Sequence, residues 1–271
     1  GTHKPEVSGS IPLPATIYIN YMGLRTKLRK FFYRKKFQPK NINLEIYNQN
    51  ILITGANSGL GLALTQELIK LNNKVYATYK KNSDNLSRID NENLILIRCD
   101  QSSDQEFKKL EDDLLSTKLN LIFNCAGILG PSVQNIKDFN FKEMSNVMMV
   151  NSYSILKIIK IILNQDHPLR ALVNISSEGG SIGLNNDALY YMYRTSKSSL
   201  NSITKSLSII LQKEKKGICF AVDPGNMKSG MNPGGFLEAS DCAKNILQIL
   251  SENDHSLNGK FIDLLKNEIP W

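Results

Sequence analysis

From Asn50 onward, short unbroken apolar runs alternate with stretches whose apolar residues recur every three or four positions. The runs are NILITG, KVYATY, NLILIRC, LNLIFN, RALVNISS, GICFAVDPG and GKFIDL. Between them, helical periodicity is expected over Leu60 to Leu71, Ser103 to Thr117, Lys137 to Leu163, Asp187 to Lys215 and Ala239 to Ser251. A strand with no polar alternation is covered on both faces, which requires helices on either side of a parallel sheet. The expected fold is a single Rossmann-type doubly wound α/β domain, in which ligands bind beyond the carboxyl ends of the strands. No internal repeat or linker divides it, so the domain runs over 49–271 and residues 1–48 stand apart as a basic arm.

Charge separates the same two regions. The net charge is +8, and residues 1–50 carry nine Lys or Arg against Glu6 and Glu45, leaving only +1 for the remainder. The run GLRTKLRKFFYRKKFQPKN interleaves basic and aromatic residues. Such a run suits a retained targeting segment, a contact with nucleic acid or anionic membrane, or a solvated tail. Ile155 to Leu163 is apolar but carries Lys157 and Lys160, and falls well short of the roughly 20 residues of a membrane span. Cys99, Cys125, Cys219 and Cys242 form no CxxC pair and no zinc spacing, so no metal site is expected. Cys99 and Cys219 lie in apolar runs as buried thiols do, which points to a reducing compartment, the cytoplasm or the mitochondrial matrix.

The first strand ends in TGANSGLGLAL, where Gly55, Gly59 and Gly61 lead directly into a helix. Glycines turn the backbone tightly and let it approach a pyrophosphate, which the helix N-terminus favours. They would equally make a plain strand-to-helix turn, but the first βα unit is the context that the dinucleotide motif requires. The second strand ends in Thr78, Tyr79, Lys80 and Lys81 with no acid. An acid there holds a ribose 2′-hydroxyl and repels a 2′-phosphate, so Lys80 favours NADP(H) over NAD(H).

A tyrosine with lysine four positions on occurs at Tyr76, Tyr153 and Tyr193, so the spacing by itself selects nothing. Placement does. Tyr76 is in a strand and Tyr153 precedes LVNISS, whereas Tyr193 begins the helix after it, beyond Ser176 and Ser177.

TGANSGLG, NCAG, VNSYS, VNISS, YRTSK and DPGNMKSG follow one another in the order of the short-chain dehydrogenase/reductase family, and residues 49–271 resemble it throughout. SSEGGSIGLNNDALYYMYRTSK and NGKFIDLLKNEIPW look like its branch of C-factor and sniffer-type carbonyl reductases. The resemblance implies a catalytic set of Asn151, Ser177, Tyr193 and Lys197, with Tyr190 and Tyr191 left to packing or the substrate cleft. It implies cofactor contacts from Gly55, Asn57, Ser58, Gly59, Leu60 and Gly61 in the glycine turn, and from Lys80, Asp100 and Gln101 around the adenosine. Asn124, Ala126 and Gly127 would line the cofactor, with Pro224, Gly225 and Met227 beside the nicotinamide. Taken singly, Asn151 reads equally well as a mid-helix polar residue, Asp100 as a helix cap and Ser177 as a turn residue.

The implied chemistry is reduction of a carbonyl, or oxidation of an alcohol. Lys197 would lower the pKa of the Tyr193 phenol, ordinarily near 10, and Ser177 would bind the substrate oxygen. Asn151 would support a water relaying protons to Lys197. Cys125, Ser58 and Ser229 depart from common family residues. The helices at Lys137 to Leu163 and Asp187 to Lys215 imply a homodimer in the family. The arm supports another reading, an accessory subunit of a large organellar assembly (a respiratory complex or a ribosome) with protein or RNA partners at residues 1–48.

Overall fold

The computed structural model describes residues 46–132, 134, 136–186 and 189–271, so the basic arm lies outside the described residues except for 46–48. Seven parallel strands form one sheet: β1 (Asn50–Thr54), β2 (Lys74–Tyr79), β3 (Leu94–Arg98), β4 (Leu121–Asn124), β5 (Ala171–Ile175), β6 (Ile218–Val222) and β7 (Phe261–Ile262). Their order is β3-β2-β1-β4-β5-β6-β7. The chain steps outward from β1 to β3, then returns to the other side of β1, so β1 and β4 are neighbours in register Leu52 to Ile122. The winding reverses there, opening a crevice at the carboxyl ends of these two strands.

Strand parity decides which helices cover which face. Leu52, Ile122, Leu172 and Cys219 join one buried cluster with α2 (Asp104–Leu114), α4 (Ser154–Leu163) and α5 (Tyr191–Lys213). Ile53, Phe123, Val173 and Phe220 point the other way, the face covered by α1 (Gly59–Lys70) and α6 (Ala239–Ser251), which pack on one another. Each such side chain contributes roughly 1.5–3 kcal/mol by leaving water, and this two-sided burial is what the unbroken apolar runs encode.

Helix boundaries follow local chemistry. The helix expected from Lys137 begins only at Phe141, because the Asn140 side chain accepts from the N–H groups of Lys142 and Glu143 and starts α3 (Phe141–Met148) there. A π-helical turn at Met149–Tyr153 joins α3 to α4. The continuous stretch Phe141–Leu163 is 23 residues long and includes an 18-residue window of mean hydropathy 1.4, long and apolar enough to cross a membrane by those measures. Its apolar side, including Ile155, Ile158, Ile159 and Ile162, is nevertheless buried in the core cluster. The helix expected from Asp187 likewise begins later, at Tyr191, because Tyr190 adopts a left-handed conformation (φ 53°, ψ 43°).

Candidate active site

At the β1/β4 crevice the structure encloses a cavity of about 590 Å³. The glycine turn forms one end. Gly55 has φ +63°, and a Cβ there would lie 2.8 Å from the Ala126 Cα; a Cβ on Gly61 would lie 2.5 Å from the Gly55 carbonyl oxygen. Larger residues fit neither position, so the backbone of β1, α1 and the loop after β4 is drawn close around the cavity. Helix α1 starts at Gly59 with no side-chain cap and no acid in its first turn, an N-terminus suited to a phosphate. A cradle of backbone at a helix start, opening on a long cavity, fits a dinucleotide.

Gly55, Ser58, Gly59, Leu60 and Gly61 all line the cavity, as do Lys80, Asp100 and Gln101, Ala126 and Gly127, Ser177, Tyr193 and Lys197, and Pro224, Gly225 and Met227. Three expected residues do not. The Asn57 side chain instead braces the loop after β2, accepting from the N–H groups of Asn85 (3.1 Å) and Leu86 (3.2 Å). Asn124 is buried behind the turn, accepting from Thr54 Oγ1 at 3.1 Å and donating to Asn174 Oδ1 at 2.9 Å. Asn151 is also fully buried. Its amide accepts from the Ile128 N–H at 2.8 Å and donates to the Ile128 carbonyl at 2.8 Å and to Ser196 Oγ at 2.9 Å. The π-helical turn presents Asn151 to that backbone, an irregularity common at functional sites. A Cβ on Gly127 would lie 3.5 Å from Asn151 Oδ1 and 3.6 Å from Lys197 Nζ, so both side chains border the small space beside that glycine.

The buried stripe of α5 carries Lys197 with Leu200 and Thr204. The Lys197 ammonium donates to the Ile175 carbonyl at 2.7 Å and sits 5.8 Å from the centre of the Tyr193 ring. Tyr193 is half-buried with its hydroxyl beside Ser177, whose Oγ accepts from the Gly179 N–H at 3.1 Å.

Protonation differs from the sequence expectation. Burial pushes the Tyr193 phenol up to about 12, against the Ser177 hydrogen bond that favours phenolate, with the Asp223 charge adding to the rise. Burial also brings Lys197 down to about 8, opposed by Cys125. The expected acidification of Tyr193 is therefore corrected: desolvation of the phenol outweighs the favourable Ser177 contact. Near pH 7 this leaves a phenol that keeps its proton beside a lysine that is mostly charged.

At the far end Lys80 pairs with Asp100 at 3.0 Å. The Asp100 carboxyl lies below its ordinary value: its own burial raises it, but hydrogen bonds from Ser102 and the Lys80 ammonium outweigh that. Sequence reasoning did not foresee this pair, which joins the ends of β2 and β3. It also did not single out Thr78, Leu129, Ile175, Asp223 or Met231, which line the cavity. Their position at strand ends and in the following loops was the available signal. Of the two neighbouring tyrosines, Tyr190 lines the cavity, while Tyr191 stacks on Phe139 at 6.0 Å.

A parallel sheet wound both ways, with a glycine turn at its point of reversal, defines the dinucleotide-binding class of α/β folds. Residues 49–236 match the family model described as short chain dehydrogenase, and the chain belongs to this oxidoreductase family. It is 26% identical to C-signal of Myxococcus xanthus over 156 residues, covering 56% of this chain and 93% of that protein. Carbonyl reductase Sniffer of D. melanogaster superposes with a TM-score of 0.75 at 29% identity, over 83% of this chain and all (100%) of that one. The NADPH-bound carbonyl reductase from chicken fatty liver superposes at 0.72 with 26% identity, over 83% and 100%.

Proposed function

We propose that the protein is an NADP(H)-preferring carbonyl reductase, able in reverse to oxidise the corresponding alcohol, with Tyr193 as the general acid/base. The observation that carries this reading is the Ser177–Tyr193–Lys197 group at the floor of a cavity whose other end is a glycine cradle. When bound, the reduced nicotinamide supplies the hydride that a carbonyl carbon accepts.

Everything else is the work of this chain. Ser177 and Tyr193 present two hydroxyls side by side, so one carbonyl oxygen can accept from both as negative charge grows on it. A phenol with its pKa raised to about 12 is fully protonated at neutral pH and holds the proton that the alkoxide takes. Lys197, with a pKa near 8, is charged at that pH and stabilises the phenolate left behind. Asn151 fixes the loop at Ile128 against the helix carrying Tyr193, through its bonds to Ile128 and Ser196. Lys80 supplies the cation for a 2′-phosphate, and Asp100 accepts from the adenine amino group once that anion draws Lys80 away. The chicken protein's bound NADPH supports the same cofactor preference here.

The test is oxidation of NADPH and NADH followed at about 340 nm with 4-nitrobenzaldehyde and a panel of aromatic ketones. Turnover with NADPH and a lower KM for NADPH than for NADH are expected. Binding of neither nucleotide by the folded protein would sink the proposal.

A further inference from the structure

Ser177 lines the cavity, and the turn Glu178–Gly180 follows it directly, with a Cβ on Gly179 falling 3.4 Å from Ser177 Oγ and 3.7 Å from a Tyr193 ring carbon. That turn is tied to α5. The Gly180 carbonyl accepts from Ser198 Oγ at 2.9 Å and from Asn201 Nδ2 at 3.2 Å. A Cβ on Gly180 would lie 2.9 Å from the Lys197 carbonyl carbon, so turn and helix are in direct backbone contact.

The next residues are tied to a different part of the molecule. Ser181 is only 1% exposed, and its hydroxyl donates to the Pro270 carbonyl at 2.6 Å while accepting from the Leu184 N–H at 3.3 Å. The Gly183 N–H donates to the Trp271 carbonyl at 3.3 Å. Residues 268–271 are themselves held against the sheet edge. Glu268 makes an antiparallel bridge to Ile262, the Ile269 N–H donates to the Phe261 carbonyl at 2.8 Å, and the Trp271 ring stacks on Phe261 with centres 5.8 Å apart.

We infer that residues 268–271 form a positioning clamp for the carbonyl site, an inference that rests on the reductase reading. Ser181, Pro270 and Trp271 do not line the cavity, so the clamp touches neither substrate nor cofactor. It acts by holding residues 181–184, and through them the turn Glu178–Gly180 that follows Ser177. The acceptors it offers are backbone carbonyls, so the side chain that matters is the one that seats the segment, the Trp271 ring on Phe261. Ser181 is the receiving half, a buried hydroxyl satisfied on both sides only when the segment is seated.

Wild type, Trp271→Ala, Trp271→Phe and Ser181→Ala are compared by reduction of 4-nitrobenzaldehyde, by NADPH fluorescence titration and by amide hydrogen exchange. The clamp predicts a rise of about fivefold in KM for the aldehyde in Trp271→Ala and Ser181→Ala, with kcat within about twofold and NADPH affinity unchanged. Exchange of the Gly183 and Leu184 amides quickens by about tenfold or more, and Trp271→Phe, which keeps an aromatic face, restores both readouts. Wild-type exchange at those amides in folded Trp271→Ala overturns the clamp, and so does faster exchange with an unchanged KM. If Trp271→Ala fails to fold, Ser181→Ala decides by the same criteria. Should the wild-type protein reduce no carbonyl at all, the reductase reading falls and the exchange comparison alone decides the clamp.

Discussion

The two ends of the cavity handle charge in opposite ways. At the adenosine end Lys80 and Asp100 form an ion pair whose side chains are 47% and 22% exposed, and water screens it. Such a pair is worth at most about 1 kcal/mol and is readily exchanged for another partner, which suits a site that selects between two nucleotides. At the catalytic end Lys197 is 4% exposed and Tyr193 is half-buried. There desolvation rather than pairing sets the protonation: it keeps the proton on the Tyr193 phenol and brings Lys197 down toward neutrality, though the lysine is still mostly charged near pH 7. Exposed charge is suited to selection, and buried groups to proton transfer.

The sharpest way to break this contrast is at the buried end. Tyr193→Phe removes the proton and keeps the ring; kcat for carbonyl reduction should fall by about 10²–10⁴-fold while NADPH binding, followed by fluorescence, is retained. Unchanged turnover would contradict the role given to Tyr193. A smaller loss is expected from Gly61→Ala, whose Cβ would meet the Gly55 carbonyl oxygen at 2.5 Å. The cradle must open, so NADPH affinity should drop and thermal stability fall by roughly 1–3 kcal/mol, read by calorimetry with and without nucleotide. At the exposed end, Lys80→Ala should raise the KM for NADPH by about tenfold and leave that for NADH nearly unchanged, since only the phosphate-bearing nucleotide loses a contact. Equal effects on both would remove the selecting role from this lysine.

The pH response sharpens the comparison most gently. The folded pKa of Lys197 is lowered to about 8 from an ordinary 10.5. Between those values the unfolded chain holds a proton that the native state has released, so this residue's contribution to stability rises with pH across about 8 to 10.5. Below 8 both states are charged and the burial cost is present in full. Carbonyl reduction should instead fall as pH passes through about 8, because the ammonium that steadies the phenolate is lost. Rate and stability therefore move in opposite directions, and Lys197→Met should abolish this contribution to both slopes.

Much of the architecture could be read locally. The seven apolar runs became the seven strands, and Ser103 caps α2 by accepting from the Glu106 N–H as its residue type suggests. The glycine turn was legible from spacing along one element, and the Tyr193–Lys197 pair from its place at the start of the helix after the LVNISS strand. What misled was chemistry that needs a distant partner. Lys197 was expected to acidify Tyr193 as a neighbour on the helix, but burial holds the phenol up, and the Lys197 ammonium donates to the Ile175 carbonyl on β5. Asn57 and Asn124 stand at motif positions, yet the loop at Asn85 and the strand residue Asn174 engage them outside the cavity wall. The start of α5 depended on the left-handed Tyr190, a backbone state that a non-glycine residue rarely adopts and no local pattern announces.

By itself, then, the order of residues determined the parallel sheet, the glycine cradle and the family, because periodicity and turn chemistry act over a few neighbouring positions. Only the tertiary structure decided which protons are held, that Lys80 meets Asp100, and that Ser181 is satisfied by a carbonyl 89 positions away. Burial and pairing depend on what long-range packing brings alongside a group, and a side chain's free energy of ionisation is set by those surroundings rather than by its neighbours in the chain.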